Sequence, residues 1–171
     1  RVKIINNYFT EEVSQEIVSK FGQVDMIIAN NVYAHIPDIQ GTTRAVESAL
    51  GKEGIFVFEV HYLGKVIEEM QYDMIYHEHL YYYSLLSAIE HFRRYNMVVF
   101  DLKLVPIHAG SLRLYVSKEC SKHALKISDA VQLLAEKERA KGYDKFWSFQ
   151  KFSNEVATTK TKLIKVLKKI K

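Results

Sequence analysis

Apolar positions along this chain come in short continuous runs near the start and in helical stripes toward the end. Val2 to Ile5 is a brief apolar stretch that predicts a strand. Thr10-Glu11-Glu12 then supplies a cap and an acidic first turn for a helix to Phe21, with Val13, Ile17 and Val18 as its apolar stripe. Val24 to Ala29 (VDMIIA) follows Gly22, is too short for a helix, and suits a strand buried on both faces of a parallel sheet. A polar loop from Asn30 to Pro37 leads to Asp38, which starts a helix to Leu50 closed by Gly51 or Gly54; Ile55 to Val60 (IFVFEV) is the next buried strand. Two such strands joined through a helix make a right-handed crossover unit, and ligands of such sheets sit beyond the carboxyl ends of the strands. Asn30 and Tyr62 begin those two ends.

Further along, Ser84 caps a helix ending in Arg93-Arg94 with Asn96 as terminator. Met97 to Leu104 and Ser111 to Val116, around Pro106 and Gly110, predict two strands joined by a short antiparallel connection. The class is therefore α/β, a parallel sheet ending in an antiparallel strand, followed by C-terminal helices. Beyond Lys122 the pattern is wholly helical, first with Ile127, Val131 and Leu134 on one stripe. Phe146, Phe149, Phe152, Val156, Leu163, Leu167 and Ile170 then mark a longer helix that reaches the end with no stop signal. Both termini read as cut, with residues 1–121 as one unit and residues 122–171 as a helical segment leading onward.

Composition narrows the function classes. With 48% apolar residues, 2 Pro and 7 Gly in 171, the chain is not disordered. The net charge of +4 is concentrated in a tail, because Lys160, Lys162, Lys165, Lys168, Lys169 and Lys171 lie where no acid does, leaving 18 basic against 20 acidic residues elsewhere. Neither nucleic acid nor a membrane is expected as a partner, and the solvated face of a helix explains the lysines. Cys120 stands alone, and nothing in the sequence crosses a bilayer or reads as a signal peptide, so a cytoplasmic protein is expected.

The densest chemistry is Tyr76-His77-Glu78-His79 followed by Tyr81-Tyr82-Tyr83. On a helical turn Tyr76, His79 and Tyr83 share a face; in an extended chain His77, His79 and Tyr81 do. A lone His here reads as a half-buried group bonded to backbone, but four such residues together favour acid–base work. A metal held by His77, His79, Glu78 and His35 lacks an established ligand motif. His35 lies in the polar loop that leaves the first buried strand, where Asn30 and Asn31 serve equally well as turn formers or as ligand contacts. His108 and Gly110 mark a strand connection that a hairpin turn explains as well as a ligand does, and Ser111 has no nucleophile motif around it.

Ala29-Asn30-Asn31-Val32 through His35-Ile36-Pro37-Asp38, the motif YDMIYHEHLYYYSL, and Pro106 through Tyr115 together resemble the S-adenosylmethionine-dependent C-methyltransferases that act on nucleotide-linked keto sugars. The resemblance covers nearly the whole chain and implies the latter half of a class I (Rossmann-like) methyltransferase sheet. It implies S-adenosylmethionine as cofactor, with any zinc confined to an N-terminal region not visible here. The glycine-rich cofactor loop also lies outside the sequence, so the chain alone is expected to be inactive.

The implied reaction puts a methyl group on a carbon beside a ketone, in a hexose on a nucleoside diphosphate such as thymidine diphosphate. By that resemblance His79 is the base, Glu78 orients or charge-balances it, Tyr76 donates to the enolate oxygen and His35 assists. Ala29, Asn30 and Asn31 match the loop bordering the cofactor, while His108 and Tyr62 fall on the sugar side. Two departures stand out: His61 replaces an expected Pro, and Ala109 replaces the first Gly of a His-Gly-Gly-Ser pattern, either of which alters which sugar fits. The alternatives are a methyltransferase of the same fold with an O or N acceptor, and a binding module that uses the Lys-rich terminal helix.

Overall fold

A computed structural model describes residues 2–107 and 109–170. Helix α1 (Glu11–Phe21) starts where Thr10 caps it, its side chain accepting from the Val13 N–H at 3.4 Å. Strand β1 (Val24–Asn30) follows, then α2 (Ile39–Ala49), capped by Asp38, which accepts from the Gly41 N–H at 2.9 Å. The two helices pack together where the Ser14 hydroxyl donates to the Ala45 carbonyl at 2.8 Å. Strand β2 (Leu50–His61) starts without an intervening turn, because Leu50 itself adopts extended dihedrals as it leaves α2. The expected closure at Gly51 or Gly54 is thus corrected, since the last carbonyl of α2 needs no glycine cap when the chain passes straight into a strand.

After β2 come the short α3 (Leu63–Glu68), a 3-10 turn at Tyr72–Met74, and α4 (Leu85–Arg93), capped by Ser84 as the sequence indicates. Asn96, at φ 54, turns the chain into β3 (Met97–Val105), and β4 (Ser111–Lys118) returns beside it. The sheet order is β1-β2-β4-β3, with β1 and β2 parallel and β4 antiparallel to both of its neighbours. The antiparallel strand closing the sequence of strands is therefore inserted between β2 and β3 instead of lying at the rim. Leu112, Leu114 and Val116 on β4 are fully buried as a result. The five-residue connection can only make a hairpin, and Ala109 and Gly110, at φ 60 and 115, supply its left-handed turn.

The core gathers Phe56 and Phe58 of β2 against Tyr33 and Phe92, with the Tyr33 and Phe58 ring centroids 4.9 Å apart. Burying each such side chain contributes about 1.5–3 kcal/mol. Helices α5 (Asp129–Lys141) and α6 (Phe146–Ile170) complete the chain; Val131 and Leu134 reach the core, whereas the apolar residues at the two ends of α6 are exposed.

Two expectations are overturned at the start of the chain. Val2 to Ile5 forms no strand; Val2 and Ile4 are 90% and 86% exposed and pair with nothing in the sheet. An apolar run becomes a strand only where a neighbouring edge receives it. Likewise Val24 to Ala29 is a strand as expected, but it pairs only with β2, and Met26 and Ile28 are 53% and 61% exposed. It is an edge, covered neither laterally nor on one face.

Candidate active site

The carboxyl ends of β1 and β2 carry the loops that build the site. Asn30 pairs in register with Glu59, and Asn31, at φ 53, bends the chain away while its N–H donates to the Glu59 carbonyl at 2.9 Å. Glu59 itself is buried and tied to Arg113 of β4 at 2.7 Å, which locks the two strand ends together. The loop then winds through a 3-10 turn at Tyr33–His35, where Tyr33 anchors in the core and His35 stays half-buried.

Residues 69–83 form a second loop laid across the first. The Leu80 and Tyr81 N–H groups both donate to the Ala34 carbonyl, at 3.0 and 3.3 Å, and Leu63 donates to the Tyr83 carbonyl at 2.9 Å. The Tyr76–His79 segment is a turn, with the His79 N–H donating to the Tyr76 carbonyl at 3.1 Å. Tyr76 and His79 therefore share a face, as the helical spacing allowed, but Tyr83 belongs to the core and does not join them.

The Tyr76 phenol oxygen lies 3.1 Å from His79 Nε2, and His79 Nδ1 lies 3.2 Å from the Met74 carbonyl. A carbonyl can only accept, so Nδ1 carries the proton; in the neutral ring Nε2 is then the lone-pair nitrogen and the phenol donates to it. Tyr76 is 40% exposed and His79 half-buried, so the pair faces an opening and is not sealed into an apolar pocket. His35 is fixed in the same way, its Nδ1 donating to the Glu78 carbonyl at 2.8 Å, and its ring lies 5.0 Å from that of His79.

Glu78 does not take the orienting place assigned to it. The Met74 carbonyl holds His79, and Glu78 enters the cluster through its backbone oxygen, with its side chain turned to solvent. Tyr62 is corrected more fully: it is 2% exposed, and its phenol donates to Glu138 of α5 at 2.9 Å, so it belongs to the packing and not to the cleft. Burial pushes its phenol well above the usual range. His108 lies outside the described residues, and His77 is exposed at the margin.

Three residues that the sequence did not assign to the surroundings of His79 stand beside it. His61, at the end of β2, has its ring 6.4 Å from that of His79 and its Nε2 donates to Gln71 Oε1 at 3.0 Å. Gln71 in turn donates to the Ala109 carbonyl at 3.0 Å, joining the loop to the β3–β4 hairpin. The Tyr82 phenol accepts from the Tyr76 N–H at 3.2 Å and is pushed up by burial, closing the turn from beneath. Gln71 and Tyr82 were marked in the sequence only by proximity to YHEH, and His61 only as a departure at the end of β2.

Among the described residues no group of three His, Cys, Asp or Glu side chains could hold a metal ion, and no helix is long and apolar enough to cross a membrane. At the strand ends Ala29 is half-buried, while Asn30 and Asn31 are exposed, so their amides are available at the place where crossover sheets take ligands.

Residues 1–102 match the model described as a methyltransferase domain, and residues 106–171 match the C-methyltransferase C-terminal domain. The chain belongs to the methyltransferase-domain family. This methyltransferase chain is 32% identical over 152 residues to C-methyltransferase NovU of Streptomyces niveus, covering 89% of itself and 36% of NovU. It thus spans little more than a third of the relative's length. Among solved structures, an S-adenosylmethionine-dependent methyltransferase from Anabaena variabilis is 14% identical with a TM-score of 0.47, over 66% of this chain and 56% of that one. Magnesium protoporphyrin IX methyltransferase from Synechocystis is 10% identical with a TM-score of 0.43, over 56% and 45% respectively.

Proposed function

We propose that the protein methylates a carbon beside a ketone in a nucleotide-linked sugar, using His79 as base and Tyr76 as the donor that stabilises the enolate. The single observation that carries this reading is the Tyr76–His79 pair: a phenol and a tautomer-fixed imidazole 3.1 Å apart, open to solvent at the strand ends of a methyltransferase domain. In the free protein the phenol proton occupies the Nε2 lone pair. A ketone oxygen entering the cleft competes for that proton, and the exchange frees Nε2 to accept the proton on the neighbouring carbon. The imidazolium so formed keeps its Nδ1–H on Met74, and the Tyr76 O–H stays with the enolate oxygen. His35, its Nδ1–H fixed on Glu78, offers a second Nε2 toward the same space.

Asn30 and Asn31, with Ala29, are the residues that would border S-adenosylmethionine. When bound, that cofactor supplies an electrophilic methyl group.

Loss of the carbon-bound proton into deuterium oxide tests the reading directly, with a nucleoside-diphosphate 4-keto hexose as substrate. His79→Gln is expected to abolish exchange, and Tyr76→Phe to slow it by about 10²–10³. Exchange that persists undiminished in both variants overturns the mechanism. Methyl transfer to an O or N acceptor without any exchange at carbon identifies the heteroatom alternative instead.

A further inference from the structure

The loop that carries His79 begins at a side-chain amide with both ends taken. Gln71 Nε2 donates to the Ala109 carbonyl at 3.0 Å and to Glu69 Oε2 at 2.8 Å. A carbonyl and a carboxylate can only accept, so the amide has one orientation and its Oε1 faces His61. His61 Nε2, 3.0 Å away, therefore carries a proton and donates it. His61 is 8% exposed and ends β2, Ala109 sits in the β3–β4 hairpin, and Glu69 closes α3, where Lys65 pairs with it at 2.5 Å. One side chain thus ties the start of the loop to three parts of the body.

The main chain of the same residue leads on to the imidazole. The Gln71 N–H donates to the Val66 carbonyl at 3.0 Å, and the Gln71 carbonyl accepts from the Met74 N–H at 3.0 Å, which winds the 3-10 turn at Tyr72–Met74. The Met74 carbonyl, at the end of that turn, accepts from His79 Nδ1–H at 3.2 Å and from the Tyr82 phenol at 3.4 Å. A continuous path therefore runs from the end of β2 through Gln71 and Met74 to His79. Packing does little to hold it, since Tyr72 and Ile75 are 39% and 51% exposed. Met70, at φ 55, enters the loop in left-handed backbone, which a non-glycine residue keeps only where its surroundings impose it. The bonds made by Gln71 are what impose it.

We propose that Gln71 and His61 are positioning residues that set the tautomer of His79. Which imidazole nitrogen carries the proton is decided by the bond that the other makes. His79 Nδ1 keeps its proton while the Met74 carbonyl stays within reach, and the lone pair on Nε2 facing Tyr76 follows from that. The His61 and His79 ring centroids are 6.4 Å apart, too far for a direct bond, so His61 acts through Gln71 and Met74. The inference rests on the proposed function for the catalytic use of His79; the tautomer itself is a property of the free protein.

Ring-nitrogen chemical shifts of the histidines, recorded at about pH 8.5, two units above the ordinary imidazole value, test it. The parent is expected to show His79 with a protonated Nδ1 and a lone-pair Nε2. Gln71→Met keeps the length of the side chain and removes its bonds, and His61→Phe keeps a ring and removes the donor. In both, the two His79 signals should move toward each other as the tautomers mix. His61→Gln restores an N–H near the lost Nε2 and should return His79 to the parent pattern. Amide shifts of β2 report whether the sheet is intact; if they move in His61→Phe, the half-buried Gln71→Met carries the test. His79 signals unchanged in Gln71→Met, or moved as far in His61→Gln as in His61→Phe, overturn the proposal. In exchange of the carbon-bound proton, His61→Phe should lower kcat by about 10–10² with KM unchanged, and a rise in KM alone overturns the positioning role. His79→Gln separates the two readings. Exchange that survives it condemns the base and leaves the tautomer result standing, whereas exchange lost in it, with His79 unmoved in Gln71→Met, keeps the base and overturns this proposal.

Discussion

Glu138 is a buried carboxylate that ties α5 to the start of α4. It sits on α5, has no exposed surface, and its carboxylate accepts from the Leu85 N–H at 2.8 Å, the Leu86 N–H at 2.9 Å and the Tyr62 phenol at 2.9 Å. Burial pushes the carboxyl up, and the Leu86 and Leu85 N–H groups pull the other way. The two backbone donors belong to the first turn of α4, whose N–H groups have no partner within the helix. One side chain thus caps α4, anchors α5 to it, and satisfies the phenol at the end of β2.

Glu138→Ala strands two buried donors and the half-buried Leu86 N–H, each costing about 1–3 kcal/mol if left unmade; water entering the vacated space offsets part, so a loss of about 3–5 kcal/mol is expected. That is a large share of a typical total of about 5–15 kcal/mol. Glu138→Gln keeps one acceptor oxygen but turns an amide toward an N–H, for about 1–3 kcal/mol, and Tyr62→Phe removes one bond, for about 1 kcal/mol. Urea unfolding should show the midpoints falling in the order Tyr62→Phe, Glu138→Gln, Glu138→Ala, with unchanged slope. An alanine variant within about 1 kcal/mol of the parent, or glutamine as costly as alanine, would refute the reasoning.

Other outcomes follow from single features. Burial raises the Glu68 carboxyl, but Lys141 at 2.5 Å and the Tyr143 phenol at 3.0 Å more than offset this and hold it below its ordinary 4.5. A depressed carboxylate stabilises above its unfolded value and loses that contribution on acidification, so the advantage of the parent over Glu68→Gln should shrink as pH falls below 4.5; an advantage independent of pH contradicts this. The exposed apolar edge at Met26 and Ile28 predicts self-association of the chain, relieved by the pair Met26→Glu and Ile28→Lys, and sizing the unmodified chain as a monomer refutes it. Gln71→Ala cuts the ties to His61 and Ala109, so amides of residues 72–80 should exchange about tenfold faster with β2 unchanged; uniform exchange rates count against that anchor.

The parts of the fold legible in the sequence are those set by local chemistry. Thr10, Asp38 and Ser84 cap the helices they precede, because an oxygen three residues before a free N–H is a local geometry. The neighbours of each strand are not local. Val2–Ile5 and Val24–Ala29 carry equally strand-like runs, yet one pairs with nothing and the other lies at an edge; hydrophobicity states a readiness to be buried, not what arrives to bury it. Glu138 does leave a trace in the sequence: it falls on the stripe of Val131 and Leu134, where an acid on an apolar face needs several donors to be tolerated.

The site divides in the same way. YHEH was visible because it concentrates four titratable side chains, but the group that orients His79 is the Met74 carbonyl, and a backbone oxygen has no signature in composition. The substitution of carbonyl for carboxylate matters to the proposed chemistry. A carboxylate behind the imidazole would leave the site carrying an anion before substrate arrives, and forming an enolate would add a second. A carbonyl fixes the same tautomer with no net charge of its own, so in the proposed step the proton that Nε2 takes from carbon creates an imidazolium and an enolate together, each the other's counter-ion.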